Sequence, residues 1–269
     1  DWPDHSASRR RLADRALRWF TWKMMDLRFQ AFKTGTKSAE NFKKLALKYL
    51  DDTIKDPELK AKLTPDYPIG CKRILVSDDY YQALARDNVE LVTEAVQEIT
   101  PNGVRTADGA EHACDVLVYG TGFITTDFIA PIEIVGAGGA ALAEAWKDGA
   151  EAYLGVTVAG FPNLFLLYGP NTNLGHNSII VMIEAQADYV VQAMKALKAR
   201  GAKALAVKPA AHARFNAQLQ RDLADTAWAG SCSSWYKTAS GKITNNWSGD
   251  TKTYRRLMRE PALEDYEVA

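Results

Sequence analysis

Three short stretches of the chain hold side chains that could do chemistry. Cys71-Lys72-Arg73 places two cations directly after Gly70, on the approach to an extended segment at 73–76. Such a pair either meets a negatively charged ligand or lies as an ordinary solvated pair on the surface. Gly120-Thr121-Gly122-Phe123 follows the apolar run 115–119. Two glycines straight after a buried strand let backbone approach a flat or charged ligand, and they equally form a tight turn. The third stretch is the polar loop 171–176, which leads into Asn177, Ser178 and a long amphipathic helix. Strand, glycine-containing loop and helix N-terminus form the α/β device that holds a ligand at the carboxyl end of a sheet, with Asn177 as the expected cap.

Other arrangements argue against several chemistries. Gly136-Ala137-Gly138-Gly139-Ala140-Ala141 fits a dinucleotide fingerprint. A second strand ending in an acidic residue should follow about twenty positions later and does not, so the stretch reads as a glycine-rich turn before a short helix. His176 is a lone histidine among polar residues and reads as a hydrogen-bonding structural group. Cys71, Cys114 and Cys232 are odd in number and lack metal-ligand spacing. They suggest neither a disulfide framework nor a metal site, and fit a reduced, cytoplasmic setting. Trp235, Tyr236 and Trp247 form an aromatic tail whose first reading is packing. No nucleophile elbow, paired-carboxylate hydrolase pattern or Walker loop is present.

The elements that must position these residues are helices first and strands later. A helix is expected over about 8–32, with Leu12, Ala16, Trp19, Phe20, Lys23 and Met24 on one face and Arg9, Arg10, Arg15 and Arg18 on the other. Ser38 is placed to cap a second helix, and Asp56-Pro57-Glu58 to start a third. Prolines and a glycine break regular structure at 64–70. Strands are expected at 73–76, 89–92, 95–99 and 104–106, the last after an Asn102-Gly103 turn. The continuous apolar runs 115–119 and 164–168 read as buried parallel strands. Helices follow over about 179–197 and 210–223.

Bulk properties set loose bounds. The 269 residues, 47% hydrophobic and 25% charged, suffice for one large or two small domains. Net charge is zero, so nothing global points to nucleic acid, although residues 1–64 hold fifteen Lys or Arg against nine Asp or Glu. No apolar run is long enough to span a membrane, and oligomeric state is open. The opening Asp1-Trp2-Pro3-Asp4-His5 has no initiator Met and no apolar signal region. It reads as the beginning of a fragment.

Taken in order, the segments from about 64 to 256 resemble the class B flavoprotein monooxygenases, particularly Baeyer–Villiger enzymes of the hydroxyacetophenone monooxygenase-like branch. The residues that carry the likeness are Tyr67-Pro68-Ile69-Gly70-Cys71-Lys72-Arg73 with Ser77-Asp78-Asp79-Tyr80-Tyr81, then Asn88-Val89-Glu90-Leu91-Val92. They continue through 115–123, Phe161-Pro162-Asn163-Leu164-Phe165, Gly169-Pro170-Asn171-Thr172 on to Glu184, and Ser234-Trp235-Tyr236-Lys237. The resemblance implies an α/β fold: an incomplete two-dinucleotide-binding-domain flavoprotein, with C-terminal parts of the NADPH and FAD domains and a helical insertion. It implies a helical segment of the NADPH domain at 1–64, the end of that domain and a return connection at 65–114, and the C-terminal part of the FAD domain at 115–269.

By the same resemblance the whole enzyme would use FAD, NADPH and O2 to convert a ketone or aldehyde to an ester or lactone through a C4a-peroxyflavin. Arg73 would be the catalytic cation, because a guanidinium stays charged beside an anionic flavin. Lys72 would meet the 2′-phosphate of NADPH. Gly120, Thr121, Gly122 and Phe123 would line the FAD, and the helix N-terminus at Asn177 and Ser178 would favour the anionic reduced ring. Trp235 would lie beside the nicotinamide. Gly120 stands where the family usually has Ala. The two glycine fingerprints and the signature between them are absent, so this chain alone is expected to bind neither cofactor tightly and to be inactive. Related alternatives are a flavin monooxygenase acting on nitrogen or sulfur nucleophiles, and a non-catalytic interaction protein derived from such an enzyme.

Overall fold

The structure is a computed structural model that describes residues 6–269, with side chains described from Leu12 onward. Arg9 and Arg10 of the expected polar helix face, and the opening pentapeptide, therefore lie outside what is described. The described residues form two compact units: residues 6–42, 67–74 and 125–269 make the first, and residues 43–66 and 75–124 the second.

The first unit opens with α1 (Ser6–Leu27), which tightens into a 3-10 turn at Arg28–Phe32. The stretch is free of Gly and Pro and rich in Ala, Leu and Arg, all good helix formers. Its buried face differs from the expected one: Leu12, Trp19, Phe20 and Met24 remain 45–66% exposed. The inward contacts come instead from Trp22, whose Nε1 donates to Thr251 Oγ1 at 2.6 Å, and from Asp26 and Phe29. Hydrogen bonds donated by an indole and accepted by a carboxylate choose this face, and apolar periodicity does not register them.

Three further helices complete the frame of this unit. α6 (Ile179–Arg200) ends at Gly201, whose φ of +64° allows its N–H to cap the Leu197 carbonyl. α7 (Pro209–Ala224) starts on a proline, and α8 (Thr251–Leu257) is capped by Asp250, whose carboxylate accepts from the Thr253 amide at 2.7 Å. A four-residue helix, α5 (Leu142–Ala145), packs with Val158 and Phe161 in a smaller cluster. The glycine run at 136–141 is a single 3-10 turn in front of α5, as the sequence suggests. Strands β4 (Leu205–Val207) and β5 (Tyr266–Val268) pair antiparallel.

The main core gathers Phe29, Phe32, Met182, Leu219, Trp228 and Tyr236 with several buried tyrosines. Those tyrosines are tolerated because each hydroxyl has a partner. Tyr189 and Tyr266 share a hydrogen bond at 2.7 Å, Tyr153 donates to Asp265 at 2.7 Å, and Tyr254 donates to the Leu154 carbonyl at 2.7 Å.

The second unit contains most of α2 (Lys37–Thr53), together with α3 (Pro57–Leu63) and α4 (Tyr80–Leu84). Thr36, two residues earlier than expected, caps α2 by accepting from the Ala39 amide. Asp56 caps α3 as the sequence suggests. Its sheet is an antiparallel meander of β1 (Val96–Thr100), β2 (Gly103–Thr106) and β3 (Glu111–Ala113). Thr100 pairs with Gly103, so Pro101-Asn102 makes the two-residue turn and Gly103 already belongs to β2. Arg105 lies across all three strands, bonded to Glu98 and Glu111.

The two expected parallel strands are not formed. Residues 164–168 are irregular, tied by Leu166 N–H to the Val156 carbonyl and by Tyr168 N–H to the Gln186 side chain. Residues 115–119 are irregular too, with Val116 and Val118 76% and 84% exposed. The segments at 73–76 and 89–92 are likewise extended without a ladder. A strand exists only through a neighbour that shares a ladder of hydrogen bonds with it, and no described strand forms a ladder with any of these runs.

Candidate functional site

Arg73 follows a turn that its surroundings fix. Gly70 adopts a φ of +85° with the Phe32 ring against its α-carbon, where a side chain would collide, and Cys71 N–H closes the turn onto the Pro68 carbonyl at 3.1 Å. Cys71 is fully buried and disulfide-bonded to Cys232. The expectation of no disulfide is therefore corrected: two of the three cysteines are brought together by the fold from 161 residues apart, and Cys114 alone is free and exposed. Sequence spacing carries no trace of so distant a pairing.

Beyond this anchored turn both cations face outward. Lys72 is exposed, its ammonium 4.4 Å from the centroid of the Tyr67 ring. Arg73 is exposed as well, close enough to the Tyr236 and Tyr168 hydroxyls for its charge to act on both. Burial pushes the Tyr236 hydroxyl up from its usual value, and the nearby guanidinium offsets part of that rise. Tyr168 behaves alike: burial raises it while Arg73 acts in the opposite sense. Tyr168 itself donates to Asn173 Oδ1 at 2.9 Å.

Trp235 stacks on Tyr236, ring centroids 5.1 Å apart, and keeps 44% of its surface exposed. Its carbonyl accepts from Thr125 Oγ1 at 2.6 Å and Asn245 Nδ2 at 2.9 Å. Tyr236 is buried against Trp228. Arg73 and Trp235 thus both lie beside Tyr236, which the sequence reading assigned to packing alone, whereas Lys72 is in contact with Tyr67.

The other expected positions are placed differently. Ser178, and not Asn177, is the N-cap of α6, its hydroxyl accepting from the Ile180 amide at 3.3 Å. Asn177 is turned to α1: its Nδ2 donates to the Trp22 carbonyl at 3.2 Å while its Oδ1 accepts from Ser178 N–H. A cavity of about 510 Å³ beside them is lined by Leu17, Thr21, Asn177 and Ser178. His176 is buried against Phe29 and Phe32, with Nε2 3.5 Å from Asp26 Oδ1. Asn171 and Asn173 are also buried, bonded to the 243–246 segment.

Gly120, Thr121, Gly122 and Phe123 lie in the second unit, fully accessible. No atom approaches the position of a side chain at Gly120 or Gly122, the latter with φ of +81°, and Phe123 is 92% exposed. Among the described residues, the backbone from 115 to 124 makes no hydrogen bond. The turn therefore leaves its backbone donors and acceptors open.

No protein-family model matches the chain. It is 43% identical over 249 residues to a Baeyer-Villiger monooxygenase of Streptomyces coelicolor, covering 92% of this chain and 48% of that protein. Against a Baeyer-Villiger monooxygenase of Pseudomonas aeruginosa it is 42% identical over 247 residues, covering 91% of this chain and 47% of that protein. Among solved structures it superposes on OTEMO in complex with FAD and NADP with a TM-score of 0.79 and 30% identity, over 88% of this chain and 46% of that one. It also superposes on the closed form of cyclohexanone monooxygenase, with a TM-score of 0.77 and 29% identity, over 88% and 46%. The chain spans about half the length of the curated relatives it matches. Its α/β architecture is that of the corresponding half of two-dinucleotide-binding-domain flavoproteins. By sequence and by fold, the chain is similar over about nine-tenths of its length to Baeyer–Villiger monooxygenases, as their C-terminal part.

Proposed function

We propose that the whole protein containing this chain is an FAD- and NADPH-dependent monooxygenase that inserts one oxygen atom of O2 into a ketone or aldehyde. The balanced reaction takes carbonyl compound, O2, NADPH and a proton to ester or lactone, water and NADP+. The observation that carries this reading is Arg73, an exposed guanidinium two residues beyond the buried, cross-linked Cys71. A permanent cation facing the ligand stabilises negative charge that develops during oxygen transfer.

The other residues take supporting parts. Lys72 receives the 2′-phosphate of NADPH as a point charge, and Trp235 offers its open face to the nicotinamide. Gly120, Thr121, Gly122 and Phe123 lie along the flavin, and the amide end of α6 at Asn177 and Ser178 favours its reduced, anionic form. When bound, the flavin supplies the activation of O2. Residues 1–114 belong to the NADPH side, 1–64 as its helical segment and 65–114 as its end and return, with 115–269 on the FAD side. NADPH supply makes the cytoplasm the working compartment, and no described helix is long and apolar enough to cross a membrane.

The test is isotopic. The whole protein, given NADPH, 18O2 and a panel of ketones, aldehydes, thioethers and amines, is expected to yield an ester or lactone carrying one labelled oxygen. Label confined to sulfoxides or N-oxides would replace carbonyl by heteroatom oxygenation, and NADPH-independent behaviour would overturn the proposal.

A further inference from the structure

We propose that the cavity between α1, α6 and α8 is a binding site for a nucleoside phosphate. It lies within the first unit and contains none of the residues assigned above to flavin or NADPH, so it stands apart from that reading. Its volume of about 990 Å³ suits a ligand of nucleotide size. The wall from α8 and the turn after it carries Lys252, Arg255, Arg256 and Arg259, whose three- and four-residue spacing puts all four on one face. Lys23 of α1 adds a fifth cation. Among the described residues none of the five forms an ion pair. Cations in a last helical turn complement the dipole of their own helix, which accounts for Arg255 and Arg256. It does not account for Lys252 in the first turn, nor for five like charges around one cavity of a chain with zero net charge. An anionic ligand supplies the missing counter-charge.

Two indoles and the opposite wall define the rest of that ligand. The Trp22 ring centroid lies 5.3 Å from the Lys23 ammonium and 5.1 Å from the Arg255 guanidinium, so it gathers cations from both helices. Its Nε1 bond to Thr251 Oγ1 ties α1 to the start of α8 and fixes the geometry between them. Trp19, 5.8 Å from the same ammonium, stays 58% exposed and offers a flat face on which a base can stack beside the cations. On α6, Glu184 is already engaged by Arg18, which leaves Asp188 and Gln192 to accept from ribose hydroxyls or a base amino group. A bare phosphate would leave the Trp19 ring unused, and an acidic peptide would be repelled by Asp188.

Isothermal titration of this chain with ATP, inorganic tripolyphosphate and polyglutamate in magnesium-free buffer tests the site. ATP should saturate one site and bind about tenfold more tightly than tripolyphosphate, because only ATP can stack. Lys252→Gln with Arg255→Gln should weaken ATP at least about tenfold, the worth of one charge-assisted hydrogen bond. Trp19→Ala should bring ATP down to the level of tripolyphosphate, and Lys72→Gln should leave ATP binding unchanged. Thermal unfolding of each variant at the parent's midpoint assigns these losses to the site. No saturable binding by millimolar ATP, polyglutamate or tripolyphosphate binding as tightly as ATP, or ATP affinity indifferent to Lys252 and Arg255 overturns the proposal. Loss of ATP binding in Lys72→Gln alone overturns it too, by locating the nucleotide at the residue proposed for NADPH.

Discussion

Asp26 at the end of α1 accepts two hydrogen bonds from Thr251 at the start of α8, from its amide at 2.8 Å and its hydroxyl at 2.7 Å. Two helices from opposite ends of the sequence are joined by one partly buried carboxylate. Burial alone would raise its pKa, but the adjacent His176 ring and the two Thr251 donors outweigh it, and the carboxyl is held well below its ordinary 3.8. A depressed folded pKa means that the charge stabilises the fold above the unfolded value, with the benefit lost as pH falls through it. Asp26→Asn should therefore cost roughly 1–3 kcal/mol at neutral pH. Urea unfolding of both proteins should show that gap closing below about pH 4. A gap independent of pH would contradict the assignment.

Gln186 is fully buried and serves two partners. Its Oε1 accepts from the Tyr168 amide at 2.7 Å, and its Nε2 donates to the Tyr254 hydroxyl at 2.9 Å. Gln186→Leu keeps the volume but leaves the Tyr168 amide without an acceptor, at a cost of about 2–3 kcal/mol. Chemical denaturation measures it, and a loss under about 0.5 kcal/mol would mean that water replaces the side chain.

The apolar run at 115–119 exposes Val116, Val118 and Tyr119. Patches of that kind bind hydrophobic dyes and promote association. The isolated chain should bind anilinonaphthalene sulfonate, and Val116→Ser with Val118→Ser should lower both the fluorescence and the aggregation rate. Unchanged fluorescence would locate the dye elsewhere.

Among the described residues, the open turn at 120–123 has no phosphate-holding glycine loop at a helix N-terminus beside it. Cofactor affinity is expected to come chiefly from such loops. The isolated chain mixed with FAD should emerge from gel filtration colourless. A stoichiometric yellow protein would show that these residues suffice.

Much of the helical frame was legible in the sequence, because α3 carries its start signal in Asp56 and α6 and α7 their helical periodicity, although the cap of α6 is Ser178 and not the expected Asn177. The hairpin of β1 and β2 was legible for the same reason, since Pro101-Asn102-Gly103 is local. Parallel strands were misread at 115–119 and 164–168, since composition reports what a strand would bury and is silent about whether a neighbour exists to pair with it. The buried face of α1 was misread because it is chosen by Trp22 and Asp26 finding Thr251. At the site, Lys72, Arg73 and Trp235 could be named from their segments, whereas Tyr236 and the Cys71–Cys232 pairing depend on contacts between distant parts of the chain.

The central claim is that Arg73 carries the oxygen-transfer chemistry, and product analysis of Arg73→Ala in the whole protein tests it most directly. With NADPH, O2 and an accepted ketone, the variant should retain bound flavin and yield no ester or lactone. Ester formation at the unsubstituted protein's rate would contradict the account.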